Sequence, residues 1–285
     1  MNPDCTDMWF GKVVEPTCTI PYYSYWQNEI LCWSVPIESR YVDISIVIPA
    51  YNEESRIGDT LSAYAAEFAP KYHDRWEILV VLNGCIDGTE DVVAAASRDC
   101  PAIRPLVFEE KLGKGGAILQ GLNVATGEMV AFVDADNMVG PRETAKLFEA
   151  LNNNDVAIGW RRPDLSLATE PQPWFRRLAS LVLPLWARLF LRLPFHDPQC
   201  GAKAMTRQAS VAMAPLLHER GWALDLAILM AARDLGLTVG EVPVSWLHVA
   251  EGSKVQLRQA SWEVFMATWR LKFKRRRPTQ KEPGR

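Results

Sequence analysis

The chain has 285 residues, of which 48% are hydrophobic, enough for one large domain or two modest ones around a substantial core. Its formal net charge of -3 supplies no global basic field, which argues against nucleic acid as a partner. Cys5, Cys18, Cys32, Cys85, Cys100 and Cys200 lie far apart with no Cys-x-x-Cys spacing, a pattern of scattered reduced thiols rather than a disulfide framework or a zinc site.

Residues 1–42 are rich in Pro, Tyr, Trp and Cys, lack periodicity, and read as an irregular extension. Asp4, Asp7 and Glu15 interrupt any apolar core there, so no secretory signal is expected. From Ile44 onward, short β-branched runs alternate with helical stretches: SIVIPA, 53–69, EILVVL, 87–99, AIRPLVF, 113–126 and EMVAFVD. Strands alternating with helices of roughly 10 to 15 residues predict βαβ units, a parallel sheet and a ligand site at the strands' carboxyl ends. The loops after Ala50, Leu82 and Val133 are therefore expected to converge.

After DVAIGW at 155–160 the rhythm breaks, and Arg161 to Pro173 reads as a polar loop. The apolar stretch 174–195 carries Arg176, Arg177, Arg188 and Arg192, with Pro184 dividing it into two short helices, which is an interfacial pattern. A strand near 199–205, a helix near 221–235, a strand at TVGEVPVSW and a last helix from about Val255 to Lys274 follow. The chain ends in Lys272, Lys274, Arg275, Arg276, Arg277 and a polar tail. No uninterrupted apolar run reaches the roughly 20 residues of a membrane span. The expected organisation is an extension over 1–42, a domain over 43–255 and an amphipathic helix with basic tail over 256–285. The domain divides into a nucleotide-binding half, 43–160, and an acceptor half, 161–255, which includes the interfacial stretch 174–195.

Asp134 and Asp136 end the strand MVAFVD, so two carboxylates two positions apart reach the rim of the sheet. Such a pair suits Mg²⁺ or Mn²⁺ shared with phosphate oxygens, and equally a cap for the helix that begins near Pro141. Spacing alone leaves both open.

PAYNEE at 49–54, NGCIDGT at 83–89, KLGKGGAILQGLNVATGE at 111–128 and the aspartate pair stand in an order and spacing that resembles the inverting glycosyltransferases of family 2. DPQCGAKAMTR at 197–207, GWALDLAIL at 221–229 and EVPVSWLHVAEGSKV at 241–255 look like the dolichyl-phosphate glucose and dolichyl-phosphate mannose synthase branch, nearer the glucose type. The resemblance implies an α/β GT-A fold, a Rossmann-like and mostly parallel sheet flanked by helices, with C-terminal amphipathic interfacial helices. It also implies a UDP- or GDP-sugar donor.

By that resemblance Pro49, Ala50, Tyr51 and Glu53 hold base and ribose, and Asp134, Ala135 and Asp136 form the donor and metal motif, with Asp136 the likelier direct ligand of Mg²⁺ or Mn²⁺. The family usually has two aspartates where this chain has Leu82 and Asn83, while Asp87 matches but equally suits an N-cap. Lys114, among Gly113, Gly115 and Gly116, is placed to approach the diphosphate. Met138 stands where some members supply a metal-binding glutamine, leaving Asn137 or water to complete the shell.

On the acceptor side, Arg161 and Arg162 take the place of a phosphate-binding arginine, and Arg176, Arg177 and Ser180 resemble a second such group, with interfacial snorkelling as the other role of the last two arginines. Lys254 in EGSKV is placed to close over phosphate or to be solvated. Asp225 lies where many members place a base for a hydroxyl acceptor, or simply pairs with an arginine. Catalytic roles therefore fall on Asp136, Asp225, Arg161 and Arg176. The expected activity is inverting hexose transfer to a polyprenyl or dolichyl phosphate by a peripheral protein on the cytosolic face of a membrane. The alternatives are a family 2 transferase acting on a hydroxyl, with Asp225 as base, and a non-catalytic nucleotide-binding membrane module.

Overall fold

The computed structural model describes residues 41–166, 185–186, 188–246 and 257–274. The chain divides between Arg40 and Tyr41, and everything below concerns the second unit. Seven strands form one sheet: β1 Ile44–Ala50, β2 Trp76–Asn83, β3 Ile103–Phe108, β4 Met129–Phe132, β5 Val156–Ser166, β6 Lys203–Thr206 and β7 Val239–Trp246. The helices are α1 Ile57–Tyr72, α2 Thr89–Asp99, α3 Lys114–Val124, α4 Pro141–Ala150, α5 Arg207–Met213, α6 Leu224–Asp234 and α7 Leu257–Lys274, with a short helical stretch around 185–191.

The strand order is β3-β2-β1-β4-β6-β5-β7. All neighbours run parallel except β6, which is antiparallel to both β4 and β5. The sheet is mostly parallel, as expected. Its one reversal positions the site, because the segment that leads into β6, residues 197–202, arrives at the edge where β1, β2, β4 and β5 end.

Strand side chains alternate between the two faces. Ile44, Ile46 and Ile48 with Ile78, Val80 and Leu82 pack against Leu61, Tyr64 and Phe68 of α1 and Leu147 and Phe148 of α4. Val47, Leu79 and Val81 face Ala117 and Ile118 of α3, α6 and Val264 of α7. Helix α6 is buried without interruption from Leu224 to Ala232, which suits a sequence apolar but for Asp225 over that span.

One expectation needs correction. Arg161 to Pro173 is expected as a loop, yet β5 continues to Ser166 parallel to β7, in register from Val156 opposite Val239 to Arg161 opposite Val244 and, after an irregularity, with Ser166 opposite Trp246. Backbone pairing does not need apolar side chains. Because β6 pairs with Val156–Ile158, the later part of β5 has no second partner strand among the described residues, which suits Pro163.

Glu77 ties the carboxyl-distal end of this sheet together. Its Oε1 accepts Ser45 Oγ at 2.7 Å, Thr126 N at 3.0 Å and Thr126 Oγ1 at 2.8 Å, and its Oε2 accepts Arg104 Nη1 at 2.5 Å. Burial alone would raise this carboxyl, but those hydrogen bonds and the Arg104 charge outweigh it and hold the group below its ordinary 4.5. A depressed carboxyl contributes stability that is present above the unfolded value and lost as pH falls through the folded one. Glu77→Gln should therefore cost about 1.5–3 kcal/mol near neutrality, the range for hydrogen bonds to a charged group. Thermal melts of wild type and variant should converge on acidification below pH 4.5, and a constant gap would refute the assignment.

Candidate functional site

The loops after β1 and β2 are bonded to each other. Asn52 Oδ1 accepts Ile86 N at 2.8 Å, Glu54 Oε2 accepts Gly88 N at 3.0 Å, and Glu53 N donates to Thr89 Oγ1 at 2.7 Å. Glu53 Oε2 also holds Arg56 Nε at 2.8 Å. Asp87 accepts the Thr89 amide at 3.1 Å, so it does serve the start of α2. Pro49 and Ala50 close β1 beside Val81 and Leu82, and the Tyr51 ring lies 3.7 Å below Lys111 Nζ. Asn83, buried at the end of β2, accepts Leu112 N at 2.6 Å and so fixes the approach to α3. The residue that departs from the family pattern is a structural tie here.

The carboxylate loop is anchored from α1: Thr60 Oγ1 donates to Ala135 O at 2.8 Å, and the Tyr64 hydroxyl donates to Val139 O at 3.0 Å. Helix α4 is capped by Gly140 with no side-chain hydrogen bond, so capping is not what the aspartate pair does. Asp136 Oδ1 accepts Met138 N at 3.1 Å. Asp134 Oδ1 pairs with Lys114 Nζ at 2.5 Å. Burial, and after it the Asp134 charge, push the Asp136 carboxyl up from its ordinary value. For Lys114, burial opposes the charge, but Asp134 and Asp225 outweigh it and hold the ammonium above its ordinary value.

Asp134, Asp136, Met138, Val139, Arg161, Gly201 and Trp246 line one cleft. Arg161 sits there with its fork on Asp197, Nε to Oδ2 at 2.6 Å and Nη2 to Oδ1 at 3.0 Å. Arg162 lies 5.7 Å over the Trp160 ring, which stacks on His196. Asp225 Oδ1 is held at 2.5 Å by Lys203 Nζ, which is fully buried and also donates to Cys200 O at 2.6 Å. Burial pushes the Cys200 thiol up to about 11, which leaves it no nucleophile. Arg176, Arg177, Ser180 and Lys254 lie outside the described residues. Asp197, Lys203 and Trp246 were not singled out from the sequence, although all three fall within quoted motifs; the reversed β6 and the end of β7 bring them in.

Gly201 abuts the pair so closely that a Cβ would stand 2.0 Å from Asp134 Oδ2. Gly201→Ala should therefore displace that carboxylate and lower kcat/KM by about 10²-fold, the scale of a 1 Å misplacement, with little change in melting temperature. An active variant would show that the Asp134 position does not matter.

Residues 45–196 match the family described as Glycosyl transferase family 2. The chain belongs to this family. It is a glycosyltransferase, and the reading as a non-catalytic module is set aside. Dolichyl-phosphate beta-glucosyltransferase of Saccharomyces cerevisiae is 30% identical over 238 residues, 77% of this chain and 71% of that protein. Glycosyltransferase AglD of Haloferax volcanii is 31% identical over 210 residues, 72% of this chain and 33% of that protein, so the chain spans about a third of that relative. In fold, the transferase is similar to glucosyl-3-phosphoglycerate synthase of Mycobacterium tuberculosis with Mn²⁺, UDP and glucosyl-3-phosphoglycerate, at TM-score 0.61 and 24% identity over 80% of this chain and 79% of that one. The same synthase with Mg²⁺ and UDP gives TM-score 0.61 at 23% identity, over 80% and 78%.

The transferase's own residues fit a divalent metal. Asp134 is paired with Lys114, while burial and the Asp134 charge disfavour the Asp136 carboxylate, which a divalent cation would relieve. Beside them Asn137, in the left-handed region at φ 54°, carries a buried Oδ1 with no hydrogen-bond partner among the described residues. Among the described residues no group of three or more His, Cys, Asp or Glu side chains is arranged to hold a metal.

Proposed function

We propose that this glycosyltransferase moves a hexose, glucose in preference to mannose, from a nucleoside-diphosphate sugar to a polyprenyl or dolichyl phosphate with inversion. UDP is the favoured nucleotide and GDP the second choice. The observation that carries this is the Lys203–Asp225 pair. A hydroxyl acceptor needs a base, and Oδ1 of the buried Asp225 is already held by the buried Lys203 ammonium. A lipid monophosphate, with a second pKa of roughly 6, is largely a dianion at neutral pH and needs none. Its oxygen attacks the anomeric carbon from the face opposite the diphosphate, the bond to the diphosphate breaks with its electron pair, and no proton moves.

Pro49, Ala50, Tyr51, Glu53, Asn83 and Asp87 are the proposed nucleoside side of the site, and Lys114 the diphosphate side. Asp134 and Asp136, with Asn137, would hold Mg²⁺ or Mn²⁺, which neutralises the departing diphosphate when bound. Arg161, oriented by Asp197, and Arg162 are the proposed phosphate ligands of the acceptor, joined by Arg176, Arg177, Ser180 and Lys254.

The relatives' names and the surface of α7 support a lipid acceptor. Trp262, Met266, Trp269 and Phe273 recur along one side of α7 and are exposed, Trp262 by 65%. Leu185 and Leu189 are also exposed, and Phe190 packs on Trp269. Lys272 adds positive charge, as a helix lying on an anionic interface requires. No described helix is long and apolar enough to cross a membrane. We place the enzyme peripherally on the cytosolic face.

The test incubates purified protein, Mn²⁺ or Mg²⁺ and a short polyprenyl phosphate with UDP-glucose, GDP-mannose and other nucleotide sugars, reading products by mass. The expected product is a glucosyl phosphoryl polyprenol. Transfer to a glycan or small-metabolite hydroxyl, with the lipid phosphate ignored, would establish the other reading.

A further inference from the structure

Between α5 and α6 lies a turn, residues 219–222, that touches both the first turn of α3 and the amphipathic helix α7. On the α3 side, Gly116 N donates to Arg220 O at 2.8 Å. A Cβ on Gly113 would stand 2.5 Å from that same carbonyl, and one on Gly115 would stand 2.6 Å from Glu219 O. The glycines around Lys114 thus serve as the seat of this turn. Lys114 Nζ then lies 5.0 Å from the centroid of the Trp222 ring, a cation–π distance, while it pairs with Asp134.

On the α7 side, Glu263 Oε1 accepts Trp222 N at 3.0 Å. The approach is so close that a Cβ on Gly221 would meet that oxygen at 1.5 Å and displace the carboxylate. Arg270, two turns further along α7, pairs with Glu219 at 2.9 Å. Two side chains of one helix therefore hold both ends of the turn against which Lys114 rests. The exposed Trp262, Met266, Trp269 and Phe273 form the neighbouring face of that helix.

We infer that Glu263 is a positioning residue: by accepting the Trp222 amide it holds the 219–222 turn, and through it Lys114, in register with the Asp134–Asp136 pair. Nothing in the reaction requires Glu263 to touch substrate. Its effect reaches the donor site through one hydrogen bond and one ring, and it makes the geometry of Lys114 dependent on the seating of α7. This rests on the donor-side reading of Lys114, and the measurement below needs no donor, so its failure and the failure of that reading are separable.

The test measures how fast individual lysines of the full-length protein are acetylated by limiting N-hydroxysuccinimide acetate, resolved by peptide mass spectrometry. Glu263→Gln keeps both reach and acceptor oxygen. Glu263→Asp keeps the charge but is one methylene too short. Lys114 should react about ten-fold faster in Glu263→Asp than in wild type, the upper factor for losing one hydrogen bond, and close to the wild-type rate in Glu263→Gln, which keeps that bond. Lys203, fully buried on the neighbouring β6, is the internal control and should not change in either. Equal acceleration of Lys114 and Lys203 would mean general loosening and overturn the inference. So would an unchanged Lys114 in Glu263→Asp, or a Glu263→Gln protein that behaves like the aspartate variant.

Discussion

Asp136→Asn should abolish transfer while making the metal-free protein more stable. The activity loss should be at least about 10²–10³-fold, the scale seen when one electrostatic contact to developing negative charge is removed. The amide can still accept Met138 N, so the loop bond survives and only charge is deleted. The wild-type carboxyl is disfavoured by burial and by Asp134, and removing its charge relieves both. If that relief is worth about 1 kcal/mol, the melting temperature should rise by roughly 2–4 °C in a domain of this size. Mn²⁺ should reverse the order: at 100 times its dissociation constant it stabilises wild type by about 2.7 kcal/mol and should leave the variant nearly unmoved. Melting curves with and without Mn²⁺, alongside turnover, check both halves. A variant that melts lower without metal, or is still stabilised by it, would remove Asp136 from the metal site.

The frame of this site was legible because it is local. Each parallel strand has its own β-branched run, and each glycosyltransferase motif follows a strand, so their convergence follows from strand direction alone. What was not legible depends on pairing across the chain. Nothing within 197–206 states that β6 runs against β4, yet that reversal carries Asp197 to Arg161 and Lys203 to Asp225. The extension of β5 beyond Trp160 was missed for a similar reason, since its partner β7 lies some eighty positions later and its side chains are polar. Asn83 shows the opposite case. Its departure from the family's aspartate left the base in doubt, and its buried amide turns out to serve the backbone of Leu112.

Removing the ammonium of Lys203 should be the most destabilising single change in the site. Lys203→Met leaves the Asp225 carboxylate buried without its partner, at a cost of about 3–5 kcal/mol. It also strips Cys200 O of a donor. Apolar replacement of a whole buried pair is often neutral or better, so Lys203→Met combined with Asp225→Leu should recover most of that loss in chemical denaturation. The double variant then weighs the two roles of Asp225 by magnitude. Loss of a general base costs about 10²–10⁴-fold. If Asp225 serves only to neutralise Lys203, and the acceptor is a phosphate that needs no base, the refolded double variant should transfer sugar to polyprenyl phosphate within about ten-fold of wild type, a barrier change near 1.4 kcal/mol. A stable double variant with transfer reduced a thousand-fold would instead make Asp225 a catalytic carboxylate and reopen the hydroxyl acceptor.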